Sequence, residues 1–578
     1  MIRLEEFPAF IFLLVFSFIS FSCKATEPLK KLDYSDSVAV LCEVTKGEKR
    51  LKDGDILGAL SLAKNLILNR SDIEDVKILY QKAIKKAKDK LQGLIEKKDW
   101  MSSKRFATSI LTCEPNVLSD SNYQIIEDGI RQLLYEKHTI LLDLVSPIQK
   151  TANSYNSSTN ISTAKPTTSK IASSIEEMIY ASITVFVDKG LKIENGFGYP
   201  DIVLGSGFFI DDEGYFITNY HVIQSEVDPK YEGYSKLYVK NFNGSKDKIP
   251  ARVVGYDPLL DLALLKVQGG KPSYIFELGS SESLSVGSKI YAIGSPLGLE
   301  RTITSGIVSS KDRKLLSVAD VIQLDAAISP GSSGGPIVDE EGAVQGIVFA
   351  GITKSQGLNF AIPVELLKTI LPSLYLGGKV VHPWLAGFGK DIDEEDDIPF
   401  TEGVIASYIM PLGPAHLASL EEGSVITALN DVEVKNLSDL KMLLLSLSED
   451  SIASITAKVK IQDEWEEKKY YVLLKERPEF PSTLIYKRDI KTRTLLPFFG
   501  LKLEYTGSNR YYRVGAVLPN SYGDEAGFMV NDYLELRSMN VNEDNGLIQV
   551  LFYAKKLKAA YVESFIGAAS YGDSSGYF

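Results

Sequence analysis

The chain has 578 residues, 44% of them hydrophobic and 24% charged. That is too long for one hydrophobic core and too apolar for a disordered polymer, so about three to five folded domains are expected. A net charge of −12 argues against a general nucleic-acid-binding surface, which needs the opposite sign.

Residues 7–22, FPAFIFLLVFSFISFS, form an uncharged stretch of 16. This suits a signal-peptide h-region and is short for a membrane-spanning helix. Arg3 is the only side-chain cation before it, and Glu5 and Glu6 oppose it. The stretch stops at Ser22-Cys23, which resembles the junction where bacterial lipoproteins are cut and lipidated on the cysteine. Residues 1–22 are then a signal peptide and Cys23 the lipidation site; an uncleaved membrane anchor is the alternative. Either reading puts the mature chain outside the cytoplasm, in the cell envelope or periplasm, tethered at its N-terminus. Cys42 and Cys113 would remain, either paired in an oxidising compartment or as buried thiols.

Residues 23–146 read as an all-α domain. In KDGDILGALSLAKNLIL, apolar residues recur at helical spacing at Ile56, Leu60, Ala63 and Ile67. EKKDWMSSKRFATSIL at 96–111 has a similar build, 44 residues on from Asp55 to Asp99. The pair faintly resembles tetratricopeptide-type hairpins, and a generic helical bundle is the simpler reading. The lysines of Lys82–Lys90 read as one solvated helix face. Residues 147–172, around TANSYNSSTNISTAKPTTSK, hold too little apolar surface to fold alone and read as a linker.

From 173 to 378 short β-like runs such as Ile183-Thr184-Val185-Phe186-Val187 alternate with Gly/Asp/Asn turns, an all-β signature. Thr218-Asn219-Tyr220-His221-Val222 places a histidine at the end of a β-like run. Asp261-Leu262-Ala263-Leu264-Leu265 opens an apolar strand with an acid. The polar segment between them, QSEVDPKYEGYSKLY, reads as a surface insertion. Gly331-Ser332-Ser333-Gly334-Gly335-Pro336 sets a serine in a loop whose glycines permit positive φ and close backbone approach, as a nucleophile beside an oxyanion site requires. The order His221, Asp261, Ser333 is that of chymotrypsin-like double β-barrel proteases.

The flanking segments make the resemblance specific. Gly205-Ser206-Gly207-Phe208-Phe209-Ile210 and Asp212 through Val222 closely resemble the histidine region of the HtrA (DegP/DegQ/DegS-like) serine proteases. Val254-Gly255-Tyr256-Asp257 through Ala263, Gly294-Ser295-Pro296-Leu297-Gly298-Leu299, Thr302 through Ser309, Asp325 through Pro330 and Asn359-Phe360-Ala361-Ile362-Pro363 are similar to further hallmarks of that family. The resemblance implies a Ser333 nucleophile, a His221 general base, and Asp261 orienting the imidazole. It implies an oxyanion hole from the N–H groups of Gly331 and Ser333, with donors each worth about 2.7–4 kcal/mol. It also implies an S1 pocket lined by Ile328 and suited to small or medium aliphatic residues. No cofactor is needed, and no His/Cys/carboxylate spacing suggests a metal. Two departures stand out. Ser332 replaces the usual asparagine, and the loop between Arg313 and Asp325 is shorter than in DegP-like members. In the family that loop, with an arginine matching Arg313, relays PDZ occupancy.

Residues 379–480 resemble the α+β PDZ domain of such proteases. His382-Pro383-Trp384-Leu385-Ala386-Gly387-Phe388-Gly389 is followed by Glu402-Gly403-Val404-Ile405, Pro414-Ala415 and Glu422-Gly423-Ser424-Val425-Ile426. Leu385, Ala386, Gly387, Phe388 and Gly389 would form the loop that captures a peptide carboxylate. A weaker copy at 490–570 runs from Phe498-Phe499-Gly500-Leu501 through Gly515-Ala516-Val517-Leu518 to Asn531-Asp532-Tyr533-Leu534. The expected function is endoproteolysis of misfolded or signalling envelope proteins, with their hydrophobic C-terminal tails as PDZ ligands. The resemblance implies a homotrimer or a multiple of three. A non-catalytic chaperone or PDZ scaffold is the alternative, and a resting regulatory protease with one target is a third reading.

Overall fold

The structure is a computed structural model. It describes residues 37–113, then 125–126, 128–130 and 132–133, then 169–578 apart from 195–196, 229–234, 241–242, 244–246, 296–301, 352–357, 395, 507–510, 544, 558–560 and 571–572. The expected signal peptide, Cys23 and nearly all of the expected linker lie outside the described residues, as does the side chain of Cys113. No helix among the described residues is long and apolar enough to cross a membrane.

Four helices open the described chain: α1 (Ser37–Asp53), α2 (Ile56–Asn69), α3 (Glu74–Glu96) and α4 (Trp100–Cys113). Asp55 caps α2, accepting the Gly58 N–H at 3.0 Å. Helix α3 buries Val76, Leu79, Ala83, Ala87 and Leu91, three and four residues apart on one face. They meet Leu60, Ala63 and Leu66 of α2 and Phe106 and Ala107 of α4 in one core. The lysines between Lys82 and Lys90 are exposed, though Lys82 pairs with Glu48 at 2.8 Å. Cys42 is a free, exposed thiol, not the buried or bridged one the sequence suggests. In α1 Val40, Val44 and Leu51 are buried, and a residue two on from Val40 points to the opposite face.

Residues 173–378 build two β-barrels. The first closes through Ile249–Asp257, Lys236–Lys240, Ser182–Glu194, Phe197–Phe209, Tyr215–Thr218 and Leu262–Val267, which pairs back onto Ile249–Asp257. Ile183, Val185 and Val187 alternate into its interior. The second closes through Thr302–Arg313, Val321–Leu324, Asn359–Pro363, Val344–Gly351, Pro336–Val338 and Lys289–Gly294. The segment expected as a surface insertion is more ordered. Tyr220–Val227 forms a helix, α5, and Lys236–Lys240 is a strand of the first barrel.

Two α+β units follow. In the first, Gly387–Asp391, Val404–Ile409, Val425–Leu429, Ile452–Ile461 and Glu464–Leu473 pair in that order, with α6 (Leu437–Leu445) between the third and fourth strands. In the second, Leu501–Tyr505, Tyr512–Val517, Tyr533–Val541, Ile548–Leu557 and Tyr561–Ser570 pair in the same sequential order. A short helix follows the second strand in both, Pro414–Leu417 and Tyr522–Glu525. The copies differ where a peptide groove would be. Among the described residues the second unit has no helix between its third and fourth strands. Its Phe499-Gly500 step ends the helix Lys491–Phe499, with Gly500 as a left-handed cap.

Candidate active site

The histidine does not end a strand. Strand Tyr215–Thr218 stops, Asn219 starts α5, and His221 sits in the first helical turn. Asn219 does not cap its own helix; its Nδ2 donates to the Asp261 carbonyl at 2.9 Å. The cap comes from Asp261, forty residues on. Its Oδ1 accepts the His221 backbone N–H at 2.8 Å and its Oδ2 meets His221 Nδ1 at 2.7 Å. The Tyr220 N–H donates to the Asp261 carbonyl at 3.1 Å. Asp261 is held at a left-handed φ of 54°, a strained conformation over-determined by these four hydrogen bonds. A carboxylate at a helix N-terminus is favoured by the orphan N–H groups and the dipole. Burial works against a charged His221 ring, but the charge and hydrogen bond of Asp261 outweigh it and hold the pKa above 6.5.

Ser333 lies in the second barrel, between strands Val321–Leu324 and Pro336–Val338, and its loop touches the first barrel. The Ser206 N–H donates to the Ser333 carbonyl at 2.7 Å. Gly205 is flanked by the Val222 side chain and that same carbonyl, so the Ser333 loop abuts the residue after His221. Gly334 has φ 85°, and a Cβ there would lie 2.3 Å from both the Ser206 carbonyl and Thr218 Oγ1. Only glycine allows that approach to the segment leading into His221. The Gly331 carbonyl is turned inward to accept from Ser206 Oγ at 2.7 Å, and the Ser332 N–H donates to Ser329 at 3.0 Å. Among the described residues the N–H groups of Gly331 and Ser333 have no protein acceptor, the state an oxyanion site needs. Ser332 is buried, and Ile328 is half-buried against the core of the second barrel.

Nothing in the sequence gives a role to Ser206. It is 1% exposed, and it also accepts the Ser295 N–H at 2.9 Å and, through its carbonyl, the Thr218 hydroxyl at 2.7 Å. It thus braces the Ser333 loop. Asp257 has a structural role that the sequence does not show either. It is fully buried, accepts the Leu259 and Leu260 N–H groups at 2.9 and 3.1 Å, and meets His382 Nε2 at 2.8 Å. Arg313 lies away from these contacts, its Nε donating to Gln323 at 2.8 Å. Among the described residues no cluster of His, Cys, Asp or Glu is placed to hold a metal ion.

The expected carboxylate loop is occupied. Residues Gly576–Phe578 of this same chain lie beside Gly387–Gly389. Ala386 takes a left-handed φ of 64°, and Leu385, Gly387 and Phe388 are buried.

Residues 205–347 match the trypsin-like peptidase domain family. Residues 482–571 match the TP0546 family PDZ domain, and 39–128 match a domain of unknown function, DUF8517. A probable periplasmic serine endoprotease, DegP-like, from Pseudomonas putida (strain GB-1) is 37% identical over 261 residues, 44% of this chain and 52% of the relative. Its counterpart from Chlamydia trachomatis serovar D is 35% identical over 251 residues, 42% of this chain and 48% of the relative. The region that matches is thus similar to DegP-like serine endoproteases. The chain spans about half the length of the curated relatives it matches. A solved structure, HtrA-type protease AlgW with decapeptide, is 27% identical and covers 53% of this chain and 99% of its own, with a TM-score of 0.43.

Proposed function

We propose that this chain is an exported serine endopeptidase that cuts unfolded or signalling proteins of the cell envelope. The observation that carries the reading is the bidentate clamp of Asp261 on His221 beside a serine loop with two unused N–H groups. Ser333 Oγ attacks a peptide carbonyl while His221 takes its proton. The oxyanion forms against the N–H groups of Gly331 and Ser333. His221 then protonates the leaving amine, and water repeats the sequence to release the acyl group. Asp261 fixes the ring with Nδ1 protonated, leaving Nε2 free for Ser333. Half-buried Ile328 favours a small or medium aliphatic side chain in the first specificity pocket. The test is digestion of casein by the purified protein. Ser333→Ala is expected to abolish cleavage with the fold intact, and substantial residual proteolysis in that variant overturns the assignment.

Tethering and self-association complete the proposal. Cys23 carries a lipid that tethers the chain; fatty-acid labelling should mark the wild type and not Cys23→Ala. The protease domains self-associate in threes. The exposed Leu191, Ile193, Phe197 and Tyr199 on the hairpin of the first barrel support self-association, since exposed apolar clusters mark interaction surfaces. Light scattering that returns a strict monomer at micromolar concentration removes this reading.

A further inference from the structure

The groove of the first PDZ unit is filled by the chain's own residues 573–578, Asp-Ser-Ser-Gly-Tyr-Phe. The Gly387 N–H donates to the Phe578 carbonyl at 3.1 Å, the Phe578 N–H returns to Gly387 at 3.0 Å, and the Gly389 N–H donates to Gly576 at 2.9 Å. Phe388 and Tyr577 are antiparallel partners. Gly387–Asp391 is the edge strand of its sheet, so the segment adds a strand to an open edge, the main-chain mode by which extended peptides are bound.

The side chains alternate as a strand requires. Phe578 is 3% exposed and sits in the core of the first unit with Leu385, Ile409, Leu437, Leu440 and Leu444. Tyr577 is 2% exposed and faces the other way, into the core shared with the second unit. Its ring meets Phe388 edge-on with centroids 5.4 Å apart. The two strands are cut to fit each other. A Cβ on Gly387 would come within 2.3 Å of the Phe578 ring, and a Cβ on Gly576 within 2.2 Å of the Phe388 ring. Buried Arg477 pairs with Asp573. Lys441 of α6 donates to the Ser575 carbonyl and, at 3.0 Å, to the Ser317 carbonyl of the protease domain.

We propose that residues 573–578 are a built-in ligand of the first PDZ unit. They define its specificity as an extended peptide with an aromatic side chain at the Phe578 position and a small residue two before it. They also compete with any other protein for the groove. The inference rests on the PDZ reading above and not on proteolysis. A short tether holds such a ligand at an effective concentration on the order of millimolar. For a segment of intrinsic Kd about 0.1 mM, that weakens an outside competitor about tenfold.

The probe is a fluorescein-labelled Ser-Ser-Gly-Tyr-Phe peptide, followed by anisotropy on the full chain carrying Ser333→Ala, so that proteolysis plays no part. Deleting residues 574–578 is expected to tighten binding about tenfold, and Gly387→Val in that background to abolish it. Equal affinity with and without the segment, or no binding to a deletion variant with a cooperative melt, overturns the proposal. A second measurement needs no deletion. Hydrogen exchange of residues 573–578 in the Ser333→Ala chain should be slow, and millimolar free peptide should speed it. Exchange as fast as an unstructured peptide's in the absence of competitor also overturns the proposal.

Discussion

His221 and Asp261 show how much one pair of side chains decides. Because Asp261 holds the His221 pKa above 6.5, the neutral ring that the proposed mechanism uses as a base is lost as pH falls through that raised value. The acid limb of kcat/KM should therefore lie above pH 6.5. Asp261→Asn leaves burial, which disfavours the charged ring, as the main influence. The limb should move below 6.5 and kcat should fall about 10⁴-fold through the wrong tautomer; a pH–rate profile of both proteins checks this. The sign for stability is the reverse. A raised folded pKa contributes stability that is full below about pH 6.5 and lost as pH rises through the folded value. The pairing of the two residues, as distinct from their proposed roles, is legible from sequence, because a histidine, an acid and a glycine-cradled serine seldom fall in that order by accident. Asp257 is not legible in its second role. Nothing along the chain says that His382, 125 residues on, returns to it. Asp257→Ala leaves a part-buried and a buried N–H group and His382 without their acceptor, and should cost about 3 kcal/mol in chemical denaturation. His382→Ala keeps the two N–H bonds to the carboxylate and should cost less.

At the scale of the element, the site depends on a short helix whose cap is borrowed and on a loop with no room for a side chain. The run into His221 reads as β-like in the sequence, but the strand is only Tyr215–Thr218 and the histidine falls in the helix after it. The chain turns helical there because Asp261 satisfies the first-turn N–H that a strand would have paired. That partner is distant, so local propensity cannot reveal it. The Ser333 loop is legible through its glycines, since their positive φ is a local need, although the atoms that exclude a side chain there come from distant Ser206 and Thr218. Gly334→Ala tests it. The substitution is strained at φ 85° and sets a Cβ 2.3 Å from two oxygens. The loop must shift away from Thr218 and Ser206, separating Ser333 from His221. A 1 Å displacement is worth about 100-fold in rate, so kcat/KM should fall at least that far while the far-ultraviolet circular dichroism spectrum is retained. The second PDZ unit is only half legible. Its glycine and small-residue turns repeat those of the first, but the repeat pattern runs past the missing groove helix and the helix end at Gly500.

Across the whole molecule, hydrogen bonds, ion pairs and shared cores tie the units among the described residues. His382 with Asp257 and Lys441 with Ser317 fasten the first PDZ unit to the protease domain. The helical domain leans on the same unit, its core taking in Ile452 with Ala418, Tyr471 and Leu473 at its edge. Composition and periodicity mark out the units but not their docking, because docking surfaces are small, mixed in polarity and contributed from distant stretches. His416 sits at this junction, in the short helix Pro414–Leu417. Burial first, then the charges of Lys104 and Arg493, push its pKa down to about 4. Its Nδ1 is buried without a hydrogen-bond partner among the described residues. A histidine kept neutral in the fold and free to protonate when released makes the fold lose stability as pH falls. The loss should begin near pH 6.5, where the unfolded ring starts to charge, and level off below about 4, reaching at most about 3 kcal/mol. Carboxylates also titrate in that window, so the measurement is a difference. Urea denaturation of the wild type and of His416→Gln at pH 7 and pH 4.5 should show the wild type losing more. Equal losses would mean that His416 titrates normally and that acid does not act on this junction through it.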